Sequence, residues 1–278
     1  MSGPLPPAGV GVIARALLTY GRKPQPLSQT FRAVYACPWQ EPKRVDDYKK
    51  FIGFPCESSV PLSYWYLLAQ RAQLALMMDP RFSYPVPGIV HVSNAMHQFE
   101  TVDVSKPLDI EVSATQDAPD ASGSLYVVFE VFVRQGGLTK VRCKSRYLGR
   151  RATRGAAHTE VVSRNNTDFQ QIADWVLEPN VGRLYAKISG DYNPIHLWPW
   201  SAKVLGFGKP IAHGMFLVSK TQATLEQSMG ARLTQLTAIF MKPAPLPGSV
   251  RLECTSNAYR LMSGAVMCAK GTYSAQAN

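Results

Sequence analysis

The stretch ISGDYNPIH, residues 188–196, contains two side chains that can exchange protons, Asp191 and His196. An aspartate is normally ionised at neutral pH, whereas a histidine can gain or lose a proton there. An acid and a base held close together can share the proton transfers of one reaction. Gly190 and Asn193 are also favoured turn residues, so the composition alone is equally typical of a surface loop.

A second motif, AHGMF at residues 212–216, follows a loop that is rich in glycine and proline. Gly214 is placed to begin a helix there. The first turn of a helix has backbone N–H groups without intrahelical partners, and it lies at the positive end of the helix dipole. Such a site stabilises an oxyanion that develops during a reaction. We therefore expect an acid, a base and an oxyanion site to converge between the two motifs.

The elements that position these motifs belong to an internal repeat. EPKRVDDYKKFIG begins at Glu41 and EPNVGRLYAKISG begins at Glu178, and five of the thirteen aligned residues are identical. A repeat of this kind predicts two halves that are built alike. We place the N-terminal half at residues 1–155 and the C-terminal half at residues 156–278.

Each half has the same predicted order of elements. A strand precedes each repeat, at residues 30–39 and 170–177, and a proline suits the first turn of the short helix that follows. Longer helices are predicted at residues 61–78 and 214–229, and further strands follow each of them. After the second helix, these strands are predicted at residues 233–243, 249–257 and 264–273. This order predicts an α+β fold in which each half packs one helix against an antiparallel sheet, and it does not fit βαβ units.

The two copies differ in the loop that follows the repeat. The first copy has neither an acid nor a base at the three corresponding positions, which hold Phe54, Cys56 and Ser59. An ordinary turn would tolerate similar residues in both copies. The presence of Asp191 and His196 in one copy alone therefore indicates that the chemistry is confined to the C-terminal half.

The stretch YAKISGDYNPIH, followed by SA and then by GFGKPIAHGMF, resembles the signature of the MaoC-like, hydratase 2 type family. This resemblance implies the hot-dog fold, in which an antiparallel sheet wraps a long helix. It also implies reversible hydration and dehydration of (R)-3-hydroxyacyl thioesters to trans-2-enoyl thioesters in fatty-acid metabolism. The two-half layout is similar to that of double hot-dog dehydratases in which the first half has lost its catalytic loop.

The same resemblance assigns roles to single residues. It makes Asp191 and His196 the catalytic pair, with Asn193 positioning the water or the histidine. The backbone N–H of Gly214 would polarise the thioester carbonyl. The residues expected to bind substrate are Tyr185, Ser189, Gly190, His213 and Met215. The substrate is expected on coenzyme A or on an acyl carrier protein, and no cofactor or metal ion is implied.

Other functions are open from the residues alone. A hot-dog thioesterase would hydrolyse the thioester with a differently placed carboxylate, and an acyl-thioester-binding protein would not turn it over. A metal ion could be held by Asp191, His196 and His213, or by His91 and His97, which their even spacing places on one strand face. Neither set has the spacing of a common metal motif, so we expect no metal site.

The net charge of +11 is densest in KVRCKSRYLGRRATR, residues 140–154. On a strand, four of its cations share one face: Lys140, Arg142, Lys144 and Arg146. One interpretation is a solvated outer face of the sheet. The other is attraction of a polyanion, such as the phosphates of coenzyme A or an acidic carrier protein. Binding of nucleic acid is not expected, because no aromatic residues alternate with the cations.

The five cysteines are scattered and lack CxxC spacing, which is typical of neither a disulfide framework nor a zinc ribbon. A nucleophilic cysteine needs a base such as histidine, and neither Cys56 nor Cys254 has a histidine nearby in the sequence. We therefore do not expect either of them to be a nucleophile. The N-terminal residues do not fit a secretory signal, and no apolar run reaches membrane-spanning length. We therefore expect a cytoplasmic protein without membrane insertion, either a monomer that contains both halves or a homodimer.

Overall fold

A computed structural model describes residues 2–7, 9–38, 40–150 and 168–275. The predicted boundary between residues 155 and 156 lies outside the described residues. The strands are β1 (Ser2–Pro4), β2 (Phe31–Cys37), β3 (Val90–Gln98), β4 (Leu108–Gln116), β5 (Leu125–Gln135), β6 (Leu138–Arg150), β7 (Gln170–Leu177), β8 (Leu233–Phe240), β9 (Gly248–Cys254), β10 (Ala258–Ser263) and β11 (Val266–Ala275). The α-helices are α1 (Val10–Leu17), α2 (Pro42–Ile52), α3 (Trp65–Met77), α4 (Val181–Ser189), α5 (Pro199–Val204) and α6 (Gly214–Met229).

The strands form one sheet in the order β1-β2-β4-β5-β6-β3-β8-β11-β10-β9-β7. Apart from β1, which pairs in parallel with β2, the N-terminal half supplies β2, β4, β5, β6 and β3 in that order. The C-terminal half supplies β7, β9, β10, β11 and β8 in the same succession. The two half-sheets join where β3 pairs antiparallel with β8, from Ser93 opposite Ile239 to His97 opposite Gln235. The predicted α+β fold is confirmed, and its two sheets are continuous.

The helices follow the same repeat. α3 is buried around most of its circumference and packs against β2, β4, β5 and β6, as expected for a helix wrapped by a sheet. α6 packs against β8 in the other half. The short helices α2 and α4 bury the equivalent residues Tyr48 and Tyr185. The Tyr48 hydroxyl is hydrogen-bonded at 2.8 Å to Ser63 beside α3 and to Ser219 on α6, so it ties the two halves together.

Strand β10 lies where the sequence pattern predicts no strand. It is only six residues long, and short strands carry a weak alternation of apolar and polar residues. β10 pairs antiparallel with β9 on one side and with β11 on the other. β10 forms a strand because it pairs with both neighbours, and not because its own sequence pattern favours one.

The prediction that His91 and His97 share one strand face is wrong. The pairing of β3 with β6 is interrupted by a bulge between His91 and Ser93, and an extra residue reverses the alternation of side chains. The His91 ring stacks on Tyr147 at 4.6 Å between ring centroids. The His97 ring packs instead on Phe99 at 4.1 Å. The two imidazoles therefore do not form a common metal site.

In β6, which contains the basic residues 140–146, buried residues alternate with cations as predicted, and most of these cations are paired. Val141, Cys143 and Ser145 on β6 are buried, which leaves the cations on the outer face. Three of these cations form ion pairs with carboxylates: Lys140 with Glu100, Arg142 with Glu130, and Arg146 with Asp117. A cleft of about 560 Å³ at the turn between β5 and β6 lies on this part of the sheet, beside Lys140. The pairing favours a solvated outer face over a bare polyanion site.

All five cysteines are free thiols, and Cys37, Cys143 and Cys268 are buried. This agrees with the expectation that the chain has no disulfide framework. In the described ranges, no helix is both long enough and apolar enough to cross a membrane.

Candidate active site

The catalytic loop of the C-terminal half begins where α4 ends. Gly190 follows the helix with φ 79° and ψ 7°, and its N–H donates a hydrogen bond to the Ala186 carbonyl at 2.8 Å. Glycine reaches this left-handed conformation without the steric cost that a Cβ brings. The turn at Gly190 directs the chain from α4 into the loop that carries Asp191.

Side chains of the loop fix its backbone. The Asp191 N–H donates to the Ser189 hydroxyl at 3.1 Å, and the Asn193 N–H donates to Asp191 Oδ1 at 3.1 Å. The Ile195 N–H donates to Asn193 Oδ1 at 3.4 Å, at the start of the 3₁₀ helix Pro194–His196. Bonds of this kind are typical of short polar side chains in turns. Asn193 therefore caps the turn that carries His196.

The Asp191 carboxylate accepts a hydrogen bond on each oxygen. Asn193 N–H donates to Oδ1, and Gln70 Nε2 on α3 donates to Oδ2 at 2.8 Å. Burial alone would raise the pKa of this carboxyl. In their protonated form, His213 and His196 outweigh that effect together with the two hydrogen bonds, so the pKa of Asp191 is lowered. Asp191 is therefore ionised at neutral pH.

The His196 ring is held in one tautomer. Its Nδ1 lies 2.7 Å from the Ile211 carbonyl oxygen, which can only accept a hydrogen bond. Nδ1 therefore carries the proton, and Nε2 is left with a lone pair. Burial, with a smaller contribution from His213, lowers the pKa of His196 to about 3, although Asp191 acts in the opposite direction. His196 is thus a neutral imidazole that can accept a proton at Nε2.

His213 packs directly on this pair. Its Nε2 donates to the Asp191 backbone carbonyl at 3.0 Å, and its ring stacks on His196 with 3.7 Å between ring centroids. Burial lowers the pKa of His213, and Asp191 opposes this. Two stacked rings that both carried a charge would repel each other, so the stack favours neutral imidazoles.

Asp191, His196 and His213 each place one atom able to bind a metal within 4.8 Å of the others. The lone pairs of an imidazole lie in the plane of its ring. His196 Nδ1 is bonded to the Ile211 carbonyl and His213 Nε2 to the Asp191 carbonyl, so one nitrogen of each ring is already engaged.

Gly214 begins α6, as the sequence predicts, and His213 immediately precedes it. A Cβ at Gly214 would lie 2.5 Å from Phe240 Cε1, so only glycine fits against that ring. The first amides of α6 have no intrahelical acceptor. They directly follow His213 in the chain, and the start of a helix favours an anionic oxygen.

The structure brings most of the predicted site residues together. Ser189, Gly190 and Asn193 shape the loop around Asp191, and the Tyr185 ring lies 4.9 Å from the His213 ring. Met215 is buried in α6, immediately after Gly214, and no described contact joins its side chain to the loop. The catalytic and substrate-binding roles of these residues stay predictions.

Two residues at the site were not found from the sequence. Gln70 lies in the half without a catalytic motif, so no local pattern marks it. Gly182 lies inside α4, where a Cβ would meet the His196 carbonyl oxygen at 2.1 Å. Glycine destabilises the interior of a helix, so its presence in the predicted helix was the only available signal of this close approach.

Replacing Gly182 by Ala is expected to displace His196. The added methyl group cannot occupy a point 2.1 Å from a backbone oxygen, so α4 and the 3₁₀ helix must separate. Overpacking of this kind costs about 1–3 kcal/mol, although alanine is the better helix former. We expect a lower free energy of unfolding in chemical denaturation and a fall in kcat of ~10-fold or more.

Gly11→Ala is the matched control for this substitution. Gly11 also lies in a helix, α1, and a Cβ there meets no atom within 4 Å. This variant should be as stable as the wild type or slightly more stable, with unchanged kcat. If the two variants had the same free energy of unfolding and the same kcat, the contact between α4 and His196 would contribute neither to stability nor to catalysis.

Comparison with known proteins finds a family model that is similar to the C-terminal half. Residues 160–276 match the family described as MaoC like domain. The match includes the loop with Asp191 and His196 and the start of α6.

One sequence match and two solved structures extend the likeness beyond that half. The 3-hydroxyacyl-thioester dehydratase X of Mycobacterium tuberculosis is 25% identical over 213 residues, which cover 76% of this chain and 75% of that protein. A crystal structure of HtdX from Mycobacterium tuberculosis superposes with a TM-score of 0.73 at 23% identity, covering 89% of this chain and 100% of that chain. A MaoC-like dehydratase from Phytophthora capsici superposes with a TM-score of 0.69 at 15% identity, covering 89% and 96%. Both structures share the fold in both halves.

Proposed function

Because residues 160–276 match the MaoC like domain, we propose that the protein is a 3-hydroxyacyl-thioester dehydratase of fatty-acid metabolism. It interconverts (R)-3-hydroxyacyl thioesters and trans-2-enoyl thioesters by loss or addition of water. The observation that carries this proposal is geometric: Asp191, His196 and His213 each place one atom within 4.8 Å of the others, His196 Nδ1 is bonded to the Ile211 carbonyl, and α6 begins directly after His213.

The protonation states of Asp191 and His196 decide which role each residue has in the reaction. At rest, both the Asp191 carboxylate and His196 Nε2 can accept a proton and neither can donate one, so an acid must form during the reaction. In dehydration, His196 Nε2 takes the C2 proton, the bond from C3 to its hydroxyl breaks, and the departing hydroxide receives that proton and leaves as water. Asp191 stabilises the transient imidazolium by its charge. The protein gains and loses no net proton over the cycle.

Removal of the C2 proton is difficult without stabilisation of the thioester oxygen. As the proton leaves, negative charge develops on that oxygen, and the N–H of Gly214 at the start of α6 is placed to bind it. One prearranged donor of this kind is worth about 3 kcal/mol. The glycine is required because the Phe240 ring occupies the space of any Cβ.

The direct test is to supply the purified protein with crotonyl-CoA and longer enoyl-CoA thioesters. The absorbance of the conjugated enoyl thioester should disappear at ~1 to 1,000 turnovers per second on the best substrate. Chiral analysis of the product should give the (R)-3-hydroxyacyl thioester. Detection of free thiol with a thiol reagent serves as the control reaction.

The alternative functions give different results in the same experiment. Release of free coenzyme A at the rate of substrate loss would identify a thioesterase. Tight binding of the enoyl thioester without hydration or hydrolysis would identify a binding protein. Either result would contradict the dehydratase proposal.

The substrate carrier is coenzyme A or an acyl carrier protein. The five free cysteines suit a reducing compartment, and we place the protein in the cytoplasm. Since β3 pairs with β8, one chain already contains the pair of half-sheets, so a monomer is the smallest functional unit and a homodimer would add a second site.

A further inference from the structure

The N-terminal half contacts the catalytic loop of the proposed site through Gln70. Gln70 on α3 donates from Nε2 to Asp191 Oδ2 at 2.8 Å, although 121 positions separate the two residues. Hydrogen bonds from a neutral donor to an ionised carboxylate are stronger than bonds between neutral groups. The half without an acid or a base in its own loop therefore still touches the carboxylate of the other half.

Gln70 belongs to a polar stripe on α3, whose other residues apart from Arg71 are mostly apolar. Tyr66, Gln70 and Gln73 follow each other at spacings of four and three, which puts them on one face of α3. Gln73 Nε2 donates to the Ser145 hydroxyl at 3.0 Å, and Tyr147 donates to Gln73 Oε1 at 2.8 Å. Gln73 is thus bonded only within its own half, whereas Gln70 reaches Asp191.

The two hydrogen bonds on Asp191 come from different directions. The Asn193 N–H binds Oδ1 from within the catalytic loop, and Gln70 binds Oδ2 from α3. A carboxylate held at one oxygen alone can still rotate about its terminal bond, because that torsion is soft. A donor on each oxygen fixes the plane of the carboxylate.

We propose that Gln70 is a positioning residue for the dehydratase reaction, which fixes the orientation of the Asp191 carboxylate from the N-terminal half. The inference rests on the proposed function. It gives the N-terminal half a part in the site beyond supplying half of the sheet. Gln70 acts through Asp191 and is not itself a proton carrier, because an amide does not titrate.

Substitution of Gln70 removes none of the other titratable side chains near Asp191. The groups whose titration is influenced by the Asp191 charge are Tyr66 on α3, His91 on β3, Tyr147 on β6, Tyr185 on α4, and His196 and His213 in the C-terminal half. Burial dominates the pKa of each of them. A difference in pH profile between the wild type and a Gln70 variant therefore reports the loss of the amide.

The experiment compares Gln70→Leu and Gln70→Glu with the wild type. Leucine removes the donor at similar volume. Glutamate keeps the shape but places a second carboxyl group against Asp191 Oδ2. Gln73→Leu is the matched control, since Gln73 lies on the same face of α3 and does not contact Asp191. Steady-state kcat, KM and the pH profile of kcat/KM are measured for each variant, with the melting temperature.

Gln70→Leu should lower kcat ~10-fold with little change in KM, and it should raise the acidic pKa of the kcat/KM profile by about 1 unit. Gln70→Glu should raise that pKa further, because two adjacent carboxylates resist ionisation together. Gln73→Leu should lower the melting temperature and leave the profile unchanged.

Two results would overturn the proposal. One is an unchanged pH profile in both Gln70 variants, which would make the contact purely structural. The other is a raised KM with unchanged kcat in Gln70→Leu, which would make Gln70 a substrate-binding residue.

A measurement that does not need turnover separates this proposal from the proposed function. The ¹³C carboxyl resonance of Asp191 is assigned by its loss in Asp191→Asn and is titrated by NMR in the wild type and in Gln70→Leu. An upward shift of the Asp191 pKa in the variant supports the proposal even if the wild type dehydrates no substrate. An unchanged Asp191 pKa contradicts it, whatever the activity.

Discussion

Replacing Asp191 by Asn is expected to lower kcat at least ~100-fold while the protein stays folded. Asparagine has the same shape and retains a carbonyl oxygen to accept the Asn193 N–H. The Gln70 amide can reverse and present its oxygen to the new Nδ2, so the contact with α3 also survives. What is lost is the negative charge next to His196. The result is measured as kcat on the best enoyl thioester, with circular dichroism and thermal melting to verify the fold.

Asp109→Asn is the control for this variant. Asp109 is an exposed carboxylate on β4, so its substitution makes the same chemical change away from the loop. Its kcat should equal that of the wild type. If Asp191→Asn retained more than about a tenth of the wild-type kcat, the negative charge would not be needed to stabilise the imidazolium and the assigned role would be wrong.

The repeat was the part of the fold that the sequence predicted best. The identities around Tyr48 and Tyr185 placed two short helices, and the structure repeats the strand order of one half in the other. Helix α6 begins at Gly214 and ends at Met229, at the predicted bounds. These features were predictable because the periodicity of apolar residues and the turn residues at each end are local properties of the chain.

The features that the sequence did not predict depend on contacts between distant segments. Gln70 has a role only because α3 lies beside the loop of the other half. The bulge in β3 that turns His91 inward comes from its pairing with β6. No pattern within α3 or β3 encodes either contact, since each depends on the position of a second element.

The tautomer and the charge of His196 depend on its surroundings in the folded protein. From the sequence, His196 could titrate near neutral pH like an exposed histidine. In the structure, His196 is buried against His213, and its protonated Nδ1 donates a hydrogen bond to the Ile211 carbonyl. Burial and the bond to a backbone carbonyl therefore set both its tautomer and its neutral charge, and neither is a property of the residue type.

Substitution of His196 tests that assignment of tautomer and charge. His196→Asn keeps a donor near the position of Nδ1, so the bond to the Ile211 carbonyl can persist while the basic nitrogen is removed. His196→Gln instead places an amide, which is not a base, near the position of Nε2. Both variants should lose at least ~100-fold in kcat, because neither can take a proton from C2. Near-normal kcat in His196→Asn would mean that only the bond to Ile211 matters.

The burial of His196 also predicts how kcat/KM of the wild type depends on pH. With its pKa lowered to about 3, His196 stays neutral and basic at Nε2 as the pH falls from 7 to 5, and Asp191 stays ionised because its pKa is lowered too. We therefore expect kcat/KM to be nearly constant over that range. A histidine with the ordinary pKa of about 6.5 would be mostly protonated at pH 5, and the rate would fall more than 10-fold. A fall of that size centred near pH 6.5 would show that the catalytic base is an exposed imidazole, in conflict with the buried geometry of His196.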